Sequence, residues 1–374
     1  MKTFHYLPAV LALTGTFPLL ATEFNPELGG SLRANYNFKQ YNAEHRDTLG
    51  ELSFNMLELK ISDRFADDTW GINASYRFMN GYDYLRYGYI YYNLSPDWQL
   101  QAGIVDKPFG NINNASNSWW YSINYYVGFE SDPDAGMTAL YHKDQHRLEL
   151  GLFKNAEYQN GRGLTADIIS GEIGSQTYHN QETNQLNLRY SYFMEQGEWS
   201  AILGSSLELG QIYNTEYREN GDRYAIAAHA DLSYQDWNLQ LQALHYDYRQ
   251  FDEGGAFDAS RIGMGMVNSA FEITNRAQVY SANIARSFDT RIGRLKLYND
   301  YSHLVADSGN PAHQDTRLNV TGASLSYEKF FLYLDHIYGH NLVWTNGDGD
   351  NHLGLPQSGS GWGRQINLNI GYYF

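Results

Sequence analysis

Between residues 119 and 134 the chain gathers two kinds of chemistry. Trp119, Trp120, Tyr121, Tyr125 and Tyr126 offer flat π faces with an N–H or O–H at the edge, and Phe129 adds a further ring. Glu130, Asp132 and Asp134 then supply three carboxylates. Inside a water-filled passage such a stretch would set both width and charge. On a surface it would be a loop packed by its own aromatics, or one covering a subunit interface. Both readings stay open at this point.

A second set is basic. Arg33, Lys39, Arg77, Arg189, Arg223, Arg294, Lys296 and Arg317 fall on the polar parity of alternating segments. Facing a carboxylate-bearing loop across a lumen, they would create a transverse field that orients dipolar solutes and favours anions or carboxylates. Alternatively they pair with Glu58, Glu149, Glu208, Asp231 and Asp300, as charges lining a wet cavity commonly do. Asp348 and Asp350, in Asn346-Gly347-Asp348-Gly349-Asp350-Asn351, have the spacing of the first ligands of a calcium loop. No glutamate sits where the twelve-residue loop would be completed, and the same residue types make ordinary turns. No metal or other cofactor is therefore expected. His-Glu-x-x-His, Gly-x-Ser-x-Gly and phosphate-binding glycine loops are not found, so catalysis has no motif to stand on.

The elements that must hold these residues are strands. Aromatics make up 16 % of the chain, with 32 tyrosines, 35 glycines and only 8 prolines, while charged residues reach just 18 %. Cysteine is absent, which removes disulfides and thiolate sites. A net charge of −16 argues against a nucleic-acid partner. From residue 29 onward, segments of about ten residues place apolar side chains at every second position. The last is the clearest: Ile366, Leu368, Ile370, Tyr372 and Phe374 alternate with Gln365, Asn367, Asn369, Gly371 and Tyr373.

The pattern predicts sixteen strands, at 29–40, 50–62, 69–79, 84–94, 98–106, 134–143, 147–156, 181–193, 199–213, 222–235, 237–249, 277–288, 294–305, 315–328, 330–340 and 363–374. Parity changes near Met56 and Gly322 suggest bulges. Short connections such as Ser95-Pro96-Asp97 and Gln235-Asp236 alternate with long ones at 107–133, 157–180, 250–276 and 341–362. An even strand count with short turns on one rim and long loops on the other suits a closed transmembrane antiparallel β-barrel, apolar outside and wet within. Trp70, Phe78, Tyr91, Tyr92, Trp199, Trp237, Tyr372 and Phe374 are placed for aromatic girdles. A lumen bounded by sixteen strands is too wide for wall side chains to fill, so the connection 107–133 is the candidate constriction loop.

The first 21 residues differ. Lys2 and His5 precede an apolar run from Leu7 to Leu20, broken by Pro8 and Pro18 and too short for a comfortable membrane anchor. This predicts a secretory signal peptide over 1–21, cleaved after Ala21, and a single barrel domain over 22–374.

Two segments carry a family resemblance. Ile366-Asn367-Leu368-Asn369-Ile370-Gly371-Tyr372-Tyr373-Phe374 resembles the terminal strand of Gram-negative outer-membrane proteins, whose final phenylalanine is read by the barrel-assembly machinery. Ala102-Gly103-Ile104-Val105-Asp106-Lys107-Pro108-Phe109-Gly110 is similar to the phosphate-selective O/P-type porins, where a strand ending in Pro-Phe-Gly leads into the constriction loop. The end-to-end layout resembles a porin, of the phosphate-selective or general diffusion kind, over nearly the whole mature chain. The resemblance implies a homotrimer in the outer membrane, bounded by lipid bilayer and lipopolysaccharide, passing small hydrophilic solutes by diffusion. The chain departs from the phosphate-selective pattern in having only eight lysines, so phosphate is not carried over. The aromatics at 119–126 also fit a sugar channel, with pyranose rings stacking along them. Tyr301-Ser302-His303 and Ser308-Gly309-Asn310 resemble the active-site strand of outer-membrane phospholipases, but the spacing differs and those barrels are smaller, so no enzyme is expected.

Overall fold

The computed structural model describes residues 25–112, 114–174, 176–252, 258–345, 352–356 and 361–374. The expected signal peptide (1–21) and the pair Asp348 and Asp350 lie outside these described residues. Sixteen antiparallel strands close into a barrel: β1 (Glu27–Lys39), β2 (Glu51–Phe65), β3 (Trp70–Met79), β4 (Asp83–Ser95), β5 (Trp98–Asp106), β6 (Pro133–Lys143), β7 (His146–Ala156), β8 (Asn180–Gln196), β9 (Trp199–Asn214), β10 (Glu219–Tyr234), β11 (Trp237–Arg249), β12 (Arg276–Thr290), β13 (Gly293–Ala306), β14 (Thr316–Tyr327), β15 (Phe330–His340) and β16 (Gly363–Tyr373). Each predicted segment is a strand. The ring closes by pairing β1 with β16, from Ser31↔Tyr373 to Lys39↔Gln365.

Alternation decides which face meets which solvent. In β16 the amides of Asn367 and Asn369 are fully buried inside, whereas Ile366, Ile370 and Tyr372 face outward. Outward Leu152 and Ile226 remain 54 % and 55 % exposed, and among the described residues no second layer covers them. A wall apolar outside and polar inside cannot be half of a water-soluble sandwich, which would bury its apolar face against a partner sheet. With every strand paired on both edges, the backbone is satisfied within the wall.

One rim carries tight turns. Asp144, Gln235, Glu328 and Gly197 take positive φ there, as two-residue hairpins require. Outward rings border this rim: Trp70 on Tyr92 (4.4 Å), Trp98 on Tyr141 (4.8 Å) and Trp199 on Tyr234 (4.3 Å). Tyr91 does not join them. It faces inward, over Gly71, where a Cβ would collide with its ring. The expected bulge near Met56 is present, since Arg33 pairs with Met56 and Ala34 with Phe54, leaving Asn55 extra. None occurs at Gly322, which pairs in register with both Tyr298 and Asp335. The parity change there has another cause: Leu318 and Val320 face inward, against a core inside the barrel.

That core is built by the long connections. Strands Asp167–Ile168, Arg261–Met266, Ser269–Thr274 and His352–Leu353, drawn from three separate loops, form a four-stranded sheet within the loop-side mouth. Its Ile262, Met264, Phe271 and Ile273 are buried against Leu244, Tyr246, Leu304, Leu318 and Ile337 of the β11–β15 wall. Short helices also lie in connections: α1 (Ala43–Thr48), capped by Asn42, and α2 (Ile123–Tyr126), capped by Ser122.

Candidate functional site

The connection 107–132 folds into the lumen, and most of its residues are buried there. Polar side chains from the far wall hold it at intervals. Ser206 Oγ accepts from the Gly110 amide (3.0 Å) and Gln242 Oε1 from the Asn111 amide (2.8 Å). Asp300 receives the amides of Asn117 (2.7 Å) and Ser118 (2.8 Å), and Asp335 that of Trp119 (3.1 Å). Ser302 Oγ accepts from Ile123 (3.1 Å), and Asn124 Nδ2 donates to Ser281 Oγ (2.7 Å). Contacts therefore run from β9 through β15. Gly110, at φ +63°, lies so close to Gln242 that a Cβ would overlap it. That close approach is one reason for glycine in the Pro-Phe-Gly turn.

The five aromatics are brought together. Tyr121 and Tyr125 stack at 4.2 Å, Tyr126 meets Tyr125 edge-on at 5.5 Å, and all five line one cavity of about 150 Å³ with Arg77 and Tyr84. The guanidinium of Arg33 lies over Trp119, 4.4 Å from the ring centroid.

The three carboxylates do not face an open passage. Glu130 is buried and accepts from the hydroxyls of Ser116 and Ser122, each at 2.6 Å. Burial pushes its carboxyl above the ordinary value, against the lowering effect of those hydroxyls. Asp132 and Asp134 both hold the Lys107 ammonium, Asp134 at 3.2 Å, so the two ends of the loop are clamped together. Burial alone would discharge Lys107, but the two aspartates outweigh it and hold its pKa well above normal.

The basic set divides. Arg77 binds Glu58 (2.9 Å), Arg189 binds Glu149 (2.8 Å) and the Gly110 carbonyl, and Arg223 sits between Glu182 (2.5 Å) and Glu208 (2.6 Å). These arginines pair with wall carboxylates, the second of the two expectations. Lys296 reaches Asn117 of the loop at 3.5 Å, and Lys39 lies half-buried at the loop rim. Arg294 shares the inward parity but sits exposed at the turn rim, 3.6 Å from Asp289. Arg317 faces the outside, between inward Thr316 and Leu318. The sequence placed it in the lumen because Leu318 and Val320 read as membrane-facing, whereas they pack on the loop core. Asp231 meets Asn238 and Gln240, and Asp300 holds the loop backbone. Ser302 and His303 lie on opposite faces of β13 and do not meet as a hydrolase-like pair.

Sequence reasoning missed a second buried cluster. Asp167 brings its carboxylate to Asp132 and Asp134, with oxygens of all three within 4.8 Å of one another. Glu157 lies beside Asp167. Burial and Asp134 push Glu157 up to about 8, and burial and Glu157 raise Asp167 well above its usual range. No spacing in the chain signals this meeting of separate loops.

No family model and no curated protein matches the chain. Solved structures do. An outer membrane channel, DcaP of Acinetobacter baumannii, matches with a TM-score of 0.60 at 12 % identity, over 94 % of this chain and 97 % of that one. An anion-selective porin from Comamonas acidovorans matches at 0.59 and 11 %, over 94 % and 99 %. The trimer form of OmpT, an outer-membrane protein of Vibrio cholerae, matches at 0.55 and 11 %, over 94 % and 99 %. At such identity the likeness is one of fold: the sixteen-strand porin barrel.

Proposed function

We propose that this chain is a passive channel of a Gram-negative outer membrane, admitting small hydrophilic solutes and ions. The observation that carries the reading is a closed wall, apolar outside and polar inside, with one connection tethered across the lumen by side chains of the far wall. The loop 107–133, with Trp119, Trp120, Tyr121, Tyr125 and Tyr126, acts as the constriction. Glu130, Asp132 and Asp134 act as its internal struts rather than as free charges in the path.

Because the loop sheet fills the mouth against β11–β15, the passage runs on the opposite side, along β2–β5. Arg77 and Arg86 face the lumen there, with side chains 16 % and 11 % exposed, and Glu58 and Asp106 as partners. The wall is thus nearly charge-balanced, which favours modest selectivity. A mild preference for anions or carboxylates rests on Arg77, which lines the aromatic cavity while its Nε is held by Glu58. That same cavity supports a second reading, a saccharide path, because its five rings offer stacking faces beside hydrogen-bond donors.

The expected export by a cleaved signal peptide at 1–21, the homotrimer, assembly by the barrel-assembly machinery, and contacts with bilayer lipid and lipopolysaccharide complete the proposal. Planar-bilayer recording tests it. Purified barrel should give stepwise conductance, with a reversal potential in a salt gradient of anionic sign. A strongly cation-selective pore would remove the anion preference, and no conductance at any voltage would remove the channel. Current block by millimolar saccharide, and not by small carboxylates, would favour the second reading.

A further inference from the structure

Where the constriction loop rejoins the barrel, two connections bring buried acids together. Asp132 closes the connection 107–132, Asp134 stands at the start of β6, and Asp167 begins the loop sheet. They are 3 %, 1 % and 0 % exposed, and their carboxylate oxygens lie within 4.8 Å of one another. Glu157 lies beside Asp167, its carboxylate packed so tightly on Gly163 that a Cβ there would overlap it.

The cations nearby do not balance this charge. Arg223 is committed to Glu182 and Glu208. Lys107 holds Asp132 and Asp134, each through Oδ2. Both oxygens of Asp167 lack a hydrogen-bond donor, and so do Oδ1 of Asp132 and Oδ1 of Asp134. Among the described residues, no lysine, arginine or histidine lies within ion-pair distance of Asp167. An ionised carboxylate buried with neither donor nor counter-ion is strongly disfavoured. Asp167 therefore calls for a further positive group. The oxygens turned toward one another are hard donors with no nitrogen or sulfur among them, a set that suits calcium and not zinc or copper.

We infer that Asp132, Asp134 and Asp167 bind one divalent cation, calcium in preference to magnesium. Oxygens up to 4.8 Å apart can all reach an ion whose bonds are about 2.4 Å long. Magnesium needs bonds of about 2.1 Å in a regular octahedron and gives up its water reluctantly. Lys107 keeps Oδ2 of the two loop aspartates, which leaves Oδ1 of each for the ion. The ion would fasten the root of the constriction loop to the first strand of the loop sheet. Thr165 Oγ1 on the Ser131 carbonyl (2.7 Å) and Tyr125 on the Leu164 carbonyl (2.6 Å) already hold these segments in contact. The inference rests on the loops alone and not on the lumen conducting.

Calorimetric titration of calcium chloride into the chelator-stripped barrel in detergent tests the site, with thermal unfolding as a second readout. Because ligand carboxylates must be ionised, both run at about pH 8.5. The wild type should bind calcium roughly tenfold or more above magnesium, and its thermal midpoint should rise with calcium concentration. Asp167→Asn keeps the shape of the side chain and removes its charge. It should bind calcium roughly tenfold more weakly or worse and lose the calcium-dependent rise. In chelator the same variant should melt above wild type, because repulsion among the acids is relieved, and this also reports that it folds. Asp132→Asn, on the other connection, should repeat the loss of binding. Glu172→Gln, exposed on the short strand Gly171–Ile173, should behave as wild type. Calcium held by co-purified lipopolysaccharide is the same in every variant and cancels. A wild type that shows no calcium response overturns the proposal, since Lys107 and retained protons then satisfy the acids. Undiminished calcium binding by Asp167→Asn also overturns it, by placing the ion elsewhere. Calcium binding by a barrel that never conducts leaves this site standing and removes only the channel.

Discussion

Arg33 of the first strand lies flat over Trp119 of the lumen loop, its guanidinium carbon 4.4 Å from the ring centroid, and also binds Asn369 and Tyr373 of the last strand. One side chain thus ties the tip of the loop to the seam where the sheet closes. Trp119 in turn contacts Tyr333 at 5.8 Å, so the tip is held from two strands.

Trp119→Ala should release that tip. A desolvated cation–π contact contributes roughly 1–2 kcal/mol, so a loss of stability of that order, read as a lowered thermal midpoint, is expected. Single-channel conductance should rise, because one of the two indole rings at the tip is removed. Unchanged conductance would show that the tip does not bound the passage.

Lys107→Met leaves two buried aspartates without their cation. Breaking a buried pair by removing one partner typically costs about 3–5 kcal/mol. The loop ends should separate, and recordings should become noisy with frequent substates. Adding Asp132→Asn to the same chain should recover part of the stability, by removing one of the unpaired charges.

A pH dependence follows from Glu157. Its folded value of about 8 lies above the ordinary 4.5, so between these the native state keeps a proton that the unfolded chain has lost. That contribution to stability is full below about 4.5, declines as pH rises to about 8 and then levels off. Thermal unfolding in detergent between pH 5 and 9 should show the decline, and Glu157→Gln should flatten it. An identical slope in the variant would place the effect elsewhere.

Phe271→Ala removes a fully buried ring from the four-stranded loop sheet. Large-to-small changes of this kind cost about 3–5 kcal/mol, here charged to the loops and not to the wall. External protease should cut within 258–275 far faster than in wild type, while circular dichroism of the variant keeps the strand signal of the barrel.

The wall was legible because lipid, water and a backbone that must pair itself impose a period of two along nearly every strand. β5, β11 and β15 begin and end where alternation places them. The loop sheet was not. Met264 or Phe271 in a connection carries no sign that it will meet Ile168 and Leu353 from other connections, since that meeting depends on the barrel already enclosing them. The same enclosure misled the parity of β14, where apolar inward residues imitate a lipid face. Of the candidate site, the aromatics gathered as their clustering in sequence suggests. The carboxylates turned inward to Lys107 and to serines, because an ion pair across the neck of a loop cannot be read from local spacing.

Phe374, just past the end of β16, helps to close the ring. Gly30 and Phe374 exchange backbone hydrogen bonds (3.0 and 3.1 Å), and the phenyl ring lies over a Cα that no larger residue could offer. The seam therefore joins strands that lie far apart in sequence, and the cylinder cannot be sealed before β16 has been made. Until then β1 and β15 each keep an open, unpaired edge, and a chain lacking β16 yields a sheet with two sticky borders instead of a pore.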